Sequence, residues 1–545
     1  MLHRKFCSIA CVAALIFGIL GGCSRLNHIV DENIADDPLI VGQGDADDYP
    51  VEIPKIVQNA FELKLEVEEE FELSEDLSVK KTRTGYSGKG YVTGFVKGEK
   101  NGKKSSAVCT VEIPSSQHYD ITVCVASDAN VFNAIAVNGK KTCEFEISGT
   151  EQFIRVTFTG VFLEKGDAEF SVFVMDGNFD FDYIEIINND NIADVRYIAE
   201  PKLCNPNAGK EALALMEYLS ECYGEYVLTG QYASTRENIE LDLIYQITGQ
   251  YPAIRFGDLR NYSLNQSAET DEIQACINWA ERGGIVGLMW YWAAPIGRPS
   301  VYAASCDFIL SNAVTDEEVS TMSKDSITKL VKSKKLSEEC AAIIDDIDAI
   351  ALQLSVLQEK NIPVLWRPLH EAGGGWYWWG SQGAEAYQWL WKTLYLRLTY
   401  YHELNNLIWI WNGQDVAFTV PGDMYDIASL DIYISSDDEM GSRMEQFQRL
   451  NELAETNKLL AISECGSVPN IDNMFRDNSV WSFFGLWYGK YIMNASGEFS
   501  GEYNTAENLK RVYNSAGSIN LYKYVTRFGD EEPFTDEDDE EATVD

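Results

Sequence analysis

Two patterns of apolar and polar positions follow one another along the chain, and they predict two kinds of domain. From residue 49 to residue 190 apolar positions alternate with polar ones, as in Ile154–Thr159 (IRVTFT), and glycine-rich turns such as Gly85–Gly90 separate the runs. Alternation with period two is typical of strands that bury one face. Short strands of this kind in succession predict a jelly-roll-like β-sandwich over residues 49–190.

From residue 200 to residue 526 the pattern changes to short apolar runs separated by amphipathic stretches. In Cys340–Glu359, for example, apolar residues recur at helical spacing. Repeated strand and helix units predict a (β/α)8 TIM barrel, whose active site lies at the C-terminal ends of the strands. The eight predicted strands are Glu225–Gln231, Tyr251–Asp258, Gly284–Trp292, Asn361–Glu371, Asn405–Asn412, Ile427–Tyr433, Lys458–Glu464 and Trp481–Tyr488.

The N-terminus carries a targeting signal over residues 1–22. Arg4 and Lys5 precede the apolar run Ile9–Leu20, which is too short to span a bilayer as a helix, and the run ends in LGGC at Cys23. This segment looks like a bacterial lipobox, which implies cleavage before Cys23 and lipidation of its thiol. A plain secretory signal is the alternative. The resemblance implies an outer-membrane lipoprotein, facing the cell surface or the periplasm, held to the membrane by its lipid.

Charge and cysteine content narrow the function classes. The formal net charge is −42, which disfavours nucleic acid as a partner and favours a neutral substrate. Residues 23–48 and 527–545 are polar and acidic, and we expect a flexible linker and a disordered tail there. The nine cysteines after Cys23 form no CxxC or Cys/His cluster, so a zinc site is not indicated, and apolar contexts indicate mostly buried free thiols.

The chemistry-bearing stretch is residues 366–380, WRPLHEAGGGWYWWG. In the predicted barrel Glu371 ends the fourth strand and Glu464 ends the seventh, so both carboxylates face one site. Glycoside hydrolysis needs such a pair, one carboxyl protonated and one ionised, about 5 to 5.5 Å apart in retaining enzymes. Tryptophan and tyrosine rings offer flat faces on which a sugar ring can stack. All thirteen tryptophans lie between Trp279 and Trp487, within the predicted barrel.

At these residues the sequence resembles glycoside hydrolase family 26, retaining (β/α)8 enzymes dominated by β-mannanases. The most specific matching pieces are Trp366–Glu371 with Gly374–Gly380, and Ile462–Gly466. The resemblance implies that Glu371 is the acid/base and Glu464 the nucleophile, that catalysis needs no cofactor, and that the substrate is a β-mannan-type polysaccharide or oligosaccharide. It also implies substrate contacts from His370, Trp376, Tyr433, Trp487, Trp290, Tyr291, Arg367 and Asp431.

One position departs from the family pattern, because Trp290-Tyr291-Trp292 stands where the family commonly has Trp-His. A phenol carries no positive charge near neutral pH, so the substrate preference can differ from that of a typical mannanase. Two alternatives to a mannanase therefore stay open. One is a retaining β-glycanase acting on mixed-linkage glucan or xylan, and the other is a non-catalytic glycan-binding lipoprotein.

The predicted sandwich resembles carbohydrate-binding module families 6 and 35 through three short pieces, Glu66–Glu68, Gly85–Gly88 and Asp182–Ile184. The resemblance implies a structural calcium held by Glu66, Glu68 and Asp182, whose hard oxygen ligands suit that ion. A solvated run of charges is the alternative for the early acidic residues. With no tryptophan in this region, a sugar contact would depend on Tyr86, Tyr91 or polar loop groups.

Overall fold

The computed structural model describes residues 59–100, 103–149, 152–189, 197–234, 237–436, 440–455 and 457–528. All of these residues belong to one compact unit. The predicted signal peptide, Cys23, the linker over residues 23–48 and the tail from residue 529 onward lie outside the described residues. Within the described part of the chain, no helix has the length and apolar character needed to cross a membrane.

The N-terminal β region is built of antiparallel strands, as the period-two pattern predicts. Its one short helix among the described residues is α1 (Val67–Glu70). The strands are β1 (Glu62–Glu66), β2 (Glu72–Leu73), β3 (Ser78–Lys80), β4 (Tyr91–Thr93), β5 (Glu99–Lys100), β6 (Lys103–Lys104), β7 (Ala107–Ile113), β8 (Gln117–Ala126), β9 (Val131–Val137), β10 (Lys140–Ile147), β11 (Ile154–Leu163), β12 (Gly166–Phe173) and β13 (Asp180–Asn188).

Two sheets of this region share one hydrophobic core. The larger sheet has the order β11-β8-β13-β4-β3, with β1 also paired to β13, and the smaller has the order β10-β9-β12-β7-β2. In β7 the side chains of Ala107, Cys109, Val111 and Ile113 are buried while their neighbours are more exposed, because successive residues of a strand face opposite sides. The buried side chains of both sheets form a single cluster, which confirms a β-rich N-terminal region.

The second part of the chain is a closed barrel of eight parallel strands. Its strands run in chain order around the barrel, and β14 pairs with both β15 and β21. All eight strands predicted from the apolar runs are confirmed. They are β14 (Val227–Tyr232), β15 (Ile254–Asp258), β16 (Ile285–Met289), β17 (Val364–Arg367), β18 (Leu407–Trp411), β19 (Ile427–Ile432), β20 (Leu459–Cys465) and β21 (Phe483–Leu486), and the short β22 (Ser518–Ile519) also pairs with β14.

Helices surround the barrel, with one departure from eight strand and helix units. Only 3-10 turns, Val416–Phe418 and Gly422–Met424, connect β18 to β19, because the fifteen residues between these strands include Gly413, Pro421 and Gly422, which disfavour a helix. The helices are α2 (Lys210–Cys222), α3 (Ile239–Thr248), α4 (Glu272–Glu281), α5 (Lys324–Lys332), α6 (Glu338–Glu359), α7 (Ala384–Leu396), α8 (Met444–Leu453), α9 (Ile471–Arg476), α10 (Ala506–Tyr513) and α11 (Leu521–Phe528).

Helix α6 confirms the helical spacing read from residues 340–359. Ser337 caps its N-terminus by accepting a hydrogen bond from the Cys340 backbone N–H at 3.1 Å, which satisfies one of the unpaired donors of the first turn. Its apolar stripe, including Ile344, Ile347 and Leu354, is buried. Leu352 was expected on the same stripe but is 65% exposed.

Specific contacts join the N-terminal region to the barrel. The imidazole of His118, on β8, lies 2.9 Å from the carboxylate of Asp477 in the loop after α9. The guanidinium of Arg476 lies over the ring of Phe162 at 3.9 Å, and Gly160 of β11 packs directly against the side chain of Met444 at the start of α8. His118 is fully buried in this contact, so the two regions form a dry interface at this point.

The cysteines of the described residues are mostly buried, as their apolar contexts indicate. Cys109, Cys124 and Cys143 are buried in the N-terminal region, and Cys222, Cys276, Cys340 and Cys465 are buried in the barrel. Burial raises the pKa of Cys109, Cys124 and Cys340 to about 12. These thiols therefore stay protonated near neutral pH, and a protonated thiol is a poor nucleophile.

Candidate active site

Glu371 lies in a tight turn beyond the fourth barrel strand. The sequence predicted that Glu371 would end this strand, but β17 ends at Arg367, because Pro368 has no N–H to continue the ladder. Leu369 and Glu371 then take left-handed conformations, with φ of 52° and 53°. The Glu371 backbone N–H is held by Asn412, through its carbonyl oxygen at 2.8 Å and its side-chain oxygen at 3.1 Å. Such backbone strain persists only where the surroundings fix it.

Glu464 lies within the seventh barrel strand, β20, and is surrounded by donors. The Tyr433 hydroxyl donates to its Oε2 at 2.7 Å, and Arg367 donates to its Oε1. Arg367 is itself fixed by donating to the Asp431 carboxylate at 2.9 Å and to the Tyr232 hydroxyl at 3.0 Å. These donors hold both carboxylate oxygens of Glu464 in fixed positions. Glu464 therefore has the environment of a nucleophile.

Glu371 has the opposite environment. Its pKa is raised to about 7: burial is the largest cause, the negative charge of Glu464 adds to it, and Arg367 acts against both. The indole N–H of Trp376 donates to Oε2 of Glu371 at 3.2 Å. At a pH below 7 the carboxyl group is thus mostly protonated and ready to give its proton away. Asn412, which holds the Glu371 backbone, also donates to Asp431 at 3.0 Å. Asp431 accepts from the same Arg367 that donates to Glu464, so both carboxyl groups belong to one site.

Of the three tryptophans after the triple glycine, Trp376 alone is incompletely buried. Trp378 and Trp379 are fully buried, and their indole N–H groups donate to the carbonyl oxygens of Trp292, at 2.7 Å, and His370, at 2.8 Å. These two buried rings stabilise the loop through their hydrogen bonds. Trp378 and Trp379 therefore offer no face to a sugar, and Trp376 is the one ring of the three with exposed surface.

His370 and Tyr291 form a stacked pair beside Glu371. Their rings lie 5.8 Å apart at 27°, and the Arg260 guanidinium lies 4.8 Å from the Tyr291 ring. His370 is 1% exposed, and burial, with the charges of Arg367 and Arg260, holds its pKa well below the usual range. His370 is therefore neutral near pH 7.

Trp487 and Trp290 were both predicted to contact substrate, but the two rings differ in burial. Trp487 follows β21 directly and is partly buried, with its ring stacked on Tyr488 at 4.6 Å. Trp290 is fully buried, donates its indole N–H to Ser263 at 2.8 Å and stacks on Trp292 at 3.8 Å. Trp290 thus packs beneath the cleft and corrects the prediction, since a ring without exposed surface offers no sugar platform.

Arg367 and Asp431 also differ from their predicted role as direct substrate contacts. Their side chains are 1% and 0% exposed, so they do not present surface to a substrate. Arg367 instead donates to Glu464, and Asp431 holds Arg367 in place. Sequence reasoning missed Asn412 and Tyr232, which hold Glu371 and Arg367. The sequence position of Asn412 could have indicated it, since Asn412 is the last residue of the predicted fifth strand and the active site of such barrels lies at the C-terminal ends of the strands.

The predicted calcium ligands lie close to one another but make other contacts. Glu66 accepts hydrogen bonds from the Ser87 hydroxyl at 2.7 Å and the Lys64 ammonium at 2.8 Å. Asp182 accepts from the Ser87 backbone N–H at 3.0 Å. Glu68 accepts from the backbone N–H groups of Lys89 and Gly90. Within the described residues no three His, Cys, Asp or Glu side chains are arranged to hold a metal ion. The three carboxylates thus accept hydrogen bonds from protein donors in this structure, and calcium binding stays an untested prediction.

Comparison with known proteins agrees with this geometry. The family model described as glycosyl hydrolase family 26 matches residues 204–521. The chain belongs to this family. It is therefore a glycoside hydrolase, and the match spans the whole barrel from before α2 to the start of α11.

Relatives of this glycosyl hydrolase share more than the barrel. A mannan endo-1,4-beta-mannosidase of Thermothelomyces thermophilus is 31% identical over 453 residues, covering 80% of this chain and 86% of that protein. Mannan endo-1,4-beta-mannosidase B of Piromyces sp. is 30% identical, covering 80% and 73%. Among solved structures, the GH26-CBM35 beta-(1,4)-mannanase of Podospora anserina is similar at a TM-score of 0.57 and 28% identity, over 85% of this chain and 98% of that one.

A further solved relative was determined with a ligand. The beta-mannanase from a symbiotic protist of the termite Reticulitermes speratus, complexed with gluco-manno-oligosaccharide, is similar at a TM-score of 0.53 and 26% identity. The similarity covers 61% of this chain and 99% of that chain. It therefore extends over nearly all of that protein.

Proposed function

We propose that the protein is a retaining endo-β-1,4-mannanase acting on mannan, galactomannan or glucomannan. The observation that carries the proposal is the division of environment between two coupled carboxyl groups. Glu371 is buried with a pKa of about 7, and Glu464 accepts hydrogen bonds from Tyr433 and Arg367. The mannanase names of the relatives and the gluco-manno-oligosaccharide held by one of them support this substrate class.

The geometry supports a two-step reaction. Glu464 attacks the anomeric carbon while Glu371 protonates the leaving oxygen, which gives a covalent glycosyl-enzyme. Glu371, now a carboxylate, then takes a proton from water, and that water releases the sugar with its original configuration. Arg367, bonded to both Asp431 and Tyr232, holds Glu464 in position for attack.

A panel of polysaccharides tests the substrate. Reducing sugar is measured after incubation with β-mannan, galactomannan, glucomannan, mixed-linkage glucan and xylan, and the anomer first released is identified by proton NMR. We expect activity on the mannans with the β anomer released first. Activity confined to glucan or xylan would identify the protein as a retaining β-glycanase with another substrate, the alternative that the change to Tyr291 leaves open. Binding without hydrolysis would identify a glycan-binding protein.

We also propose that the N-terminal β region is a carbohydrate-binding-module-like β-sandwich. Its two sheets with one core support this, and so does the likeness to the Podospora anserina protein, whose name includes such a module and of which 98% is covered. Affinity electrophoresis in galactomannan gels tests it. The Glu371→Ala protein should be retarded more than a chain shortened to the barrel, provided that circular dichroism shows the shortened chain to be folded.

We further propose that the protein is lipidated at Cys23 and held in the outer membrane. The LGGC sequence after an apolar run supports this proposal. Metabolic labelling with palmitate tests it in a bacterial host. Label should enter the wild-type protein and not Cys23→Ala, and continued labelling of the variant would contradict the proposal. Protease accessibility in intact cells would then distinguish the cell surface from the periplasm.

A further inference from the structure

The long loop after β16 forms a wall beside Trp376. Its middle part, Val301–Ala303, runs antiparallel to Trp376–Trp378. Ala303 donates its backbone N–H to the Trp376 carbonyl at 2.8 Å, and Trp378 donates its own to the Val301 carbonyl at 3.0 Å. Tyr302 and Tyr377 are the bridged pair between the two segments. The two loops are thus held to each other by backbone hydrogen bonds at both ends of the pair.

Tyr302 is the exposed ring of this wall. Its side chain is 38% exposed, whereas Tyr377 is 7% exposed and Trp378 is fully buried. The ring of Tyr302 lies 5.6 Å from that of Tyr377 at 32°. The Tyr291 hydroxyl donates to the Tyr302 hydroxyl oxygen at 2.7 Å, a bond that does not use the Tyr302 proton. Tyr302 therefore offers a fixed aromatic face and a hydroxyl proton.

The position of Tyr302 relative to Glu371 tells which sugar it can reach. A general acid protonates the oxygen of the leaving group, so the leaving sugar lies on the Glu371 side of the cleft. Trp376 bonds to Glu371 directly, and Tyr302 is paired with Tyr377, the next residue along the loop. Tyr302 is thus linked to the Glu371 turn in two ways, through Tyr377, the residue after Trp376, and through Tyr291, whose ring stacks on His370.

We propose that Tyr302 stacks on the second sugar of the leaving group and sets a preference for substrates that extend on that side of the cleaved bond. A tyrosine held by its neighbours loses little conformational freedom on binding, so its stacking contributes nearly in full. Because the role concerns the substrate chain of a β-1,4-mannanase, it rests on the proposed function.

Two substrates separate this role from a structural one. β-1,4-Mannopentaose can place two sugars on the leaving side, whereas 2,4-dinitrophenyl β-mannobioside places only its aryl group there. Tyr302→Ala should lower kcat/KM for mannopentaose by about five- to tenfold, the loss expected for one aromatic stacking contact. It should change kcat/KM for the dinitrophenyl substrate less than about twofold, since that leaving group ends before Tyr302.

Two further variants complete the test. Tyr302→Phe keeps the ring and should retain most of the mannopentaose activity. Tyr400→Ala removes a tyrosine of similar exposure, 44%, from the helical turn Arg397–Tyr401 after α7 and should change the rate with neither substrate. Hydrolysis in ¹⁸O-labelled water, read by mass spectrometry, gives the cleaved bond. In Tyr302→Ala, fewer cleavages should release a leaving group of two sugars.

Equal losses on both substrates, or an unchanged mannopentaose rate in Tyr302→Ala, would overturn the role of Tyr302. If the wild-type protein does not cleave mannopentaose but cleaves another β-1,4-linked oligosaccharide, the mannanase proposal is contradicted instead. The kcat/KM of Tyr302→Ala relative to the wild type would then be measured on that oligosaccharide, so the two failures are distinguishable.

Discussion

At the scale of single residues, the two glutamates differ in environment although they share a site. Glu464→Ala should abolish hydrolysis of every substrate, because no glycosyl-enzyme can form. Glu371→Ala should still be glycosylated by a dinitrophenyl glycoside, which needs little protonation, and should then stall without its general base. Azide, which needs no base, should restore turnover and give a β-glycosyl azide, identified by NMR. Losses that are equal in the two variants for good and poor leaving groups, without azide rescue, would contradict these roles.

The raised pKa of Glu371 predicts the pH dependence of glycosylation. The acid must be protonated, so kcat/KM should be highest below the pKa of about 7 and fall as the pH rises through it. The Glu464 charge contributes to raising this pKa, so Glu464→Gln should lower the pKa of Glu371, followed by carbon NMR of the labelled carboxyl group. An unchanged Glu371 titration in Glu464→Gln would contradict the coupling.

The sequence pattern indicated Glu371 and Glu464 as the candidate catalytic pair, but it did not indicate which of the aromatic rings are buried. Trp290 and Trp376 both stand beside another aromatic residue and near a strand end. One is fully buried on Ser263 and Trp292, and the other reaches Glu371. The difference depends on loops distant in sequence, so local pattern carries no information about it.

At the scale of elements, the turn after β17 depends on a glycine. A Cβ on Gly380 would lie 2.1 Å from the backbone oxygen of Ala372, so the loop carrying Glu371 and Trp379 would have to move. Gly380→Ala should destabilise the protein by about 1 to 3 kcal/mol and reduce kcat/KM. Thermal unfolding and mannan hydrolysis measure the two effects.

A matched control is available in Gly501, whose Cβ would meet open space. Gly501→Ala should leave both unfolding and hydrolysis unchanged. If Gly380→Ala behaves like the control, the close approach of Gly380 to Ala372 is not needed for stability or for hydrolysis.

Apolar runs predicted every barrel strand, because a strand buried on both faces is apolar throughout. The turn that places Glu371 was not predicted, since its left-handed residues are held by Asn412 from the next strand. The helix expected between β18 and β19 is replaced by two 3-10 turns. Long-range hydrogen bonds and short connections thus account for what the pattern missed.

At the scale of the whole molecule, His118 and Asp477 link the N-terminal region to the barrel. His118→Ala would leave the buried Asp477 carboxylate with one partner fewer, at a cost of about 1 to 3 kcal/mol. We expect calorimetry to show the N-terminal region melting at lower temperature than in the wild type while the barrel transition moves little. The comparison variant is His402→Ala, which removes a contact with Asp348 within the barrel.

His402→Ala should lower the barrel transition instead. Unaltered melting of both regions in His118→Ala, or an equal shift of both, would contradict a specific role for this contact.

The seven buried cysteine thiols of the described residues can report local opening of the structure. Three lie in the N-terminal region and four in the barrel, and none can be alkylated until the surrounding structure opens. Timed exposure to iodoacetamide under native conditions, followed by peptide mass spectrometry, would therefore give separate opening rates for the two regions without any added label. Equal rates would mean that the regions open as one cooperative unit, and a faster rate at Cys109, Cys124 and Cys143 would mean that the N-terminal region opens while the barrel stays closed.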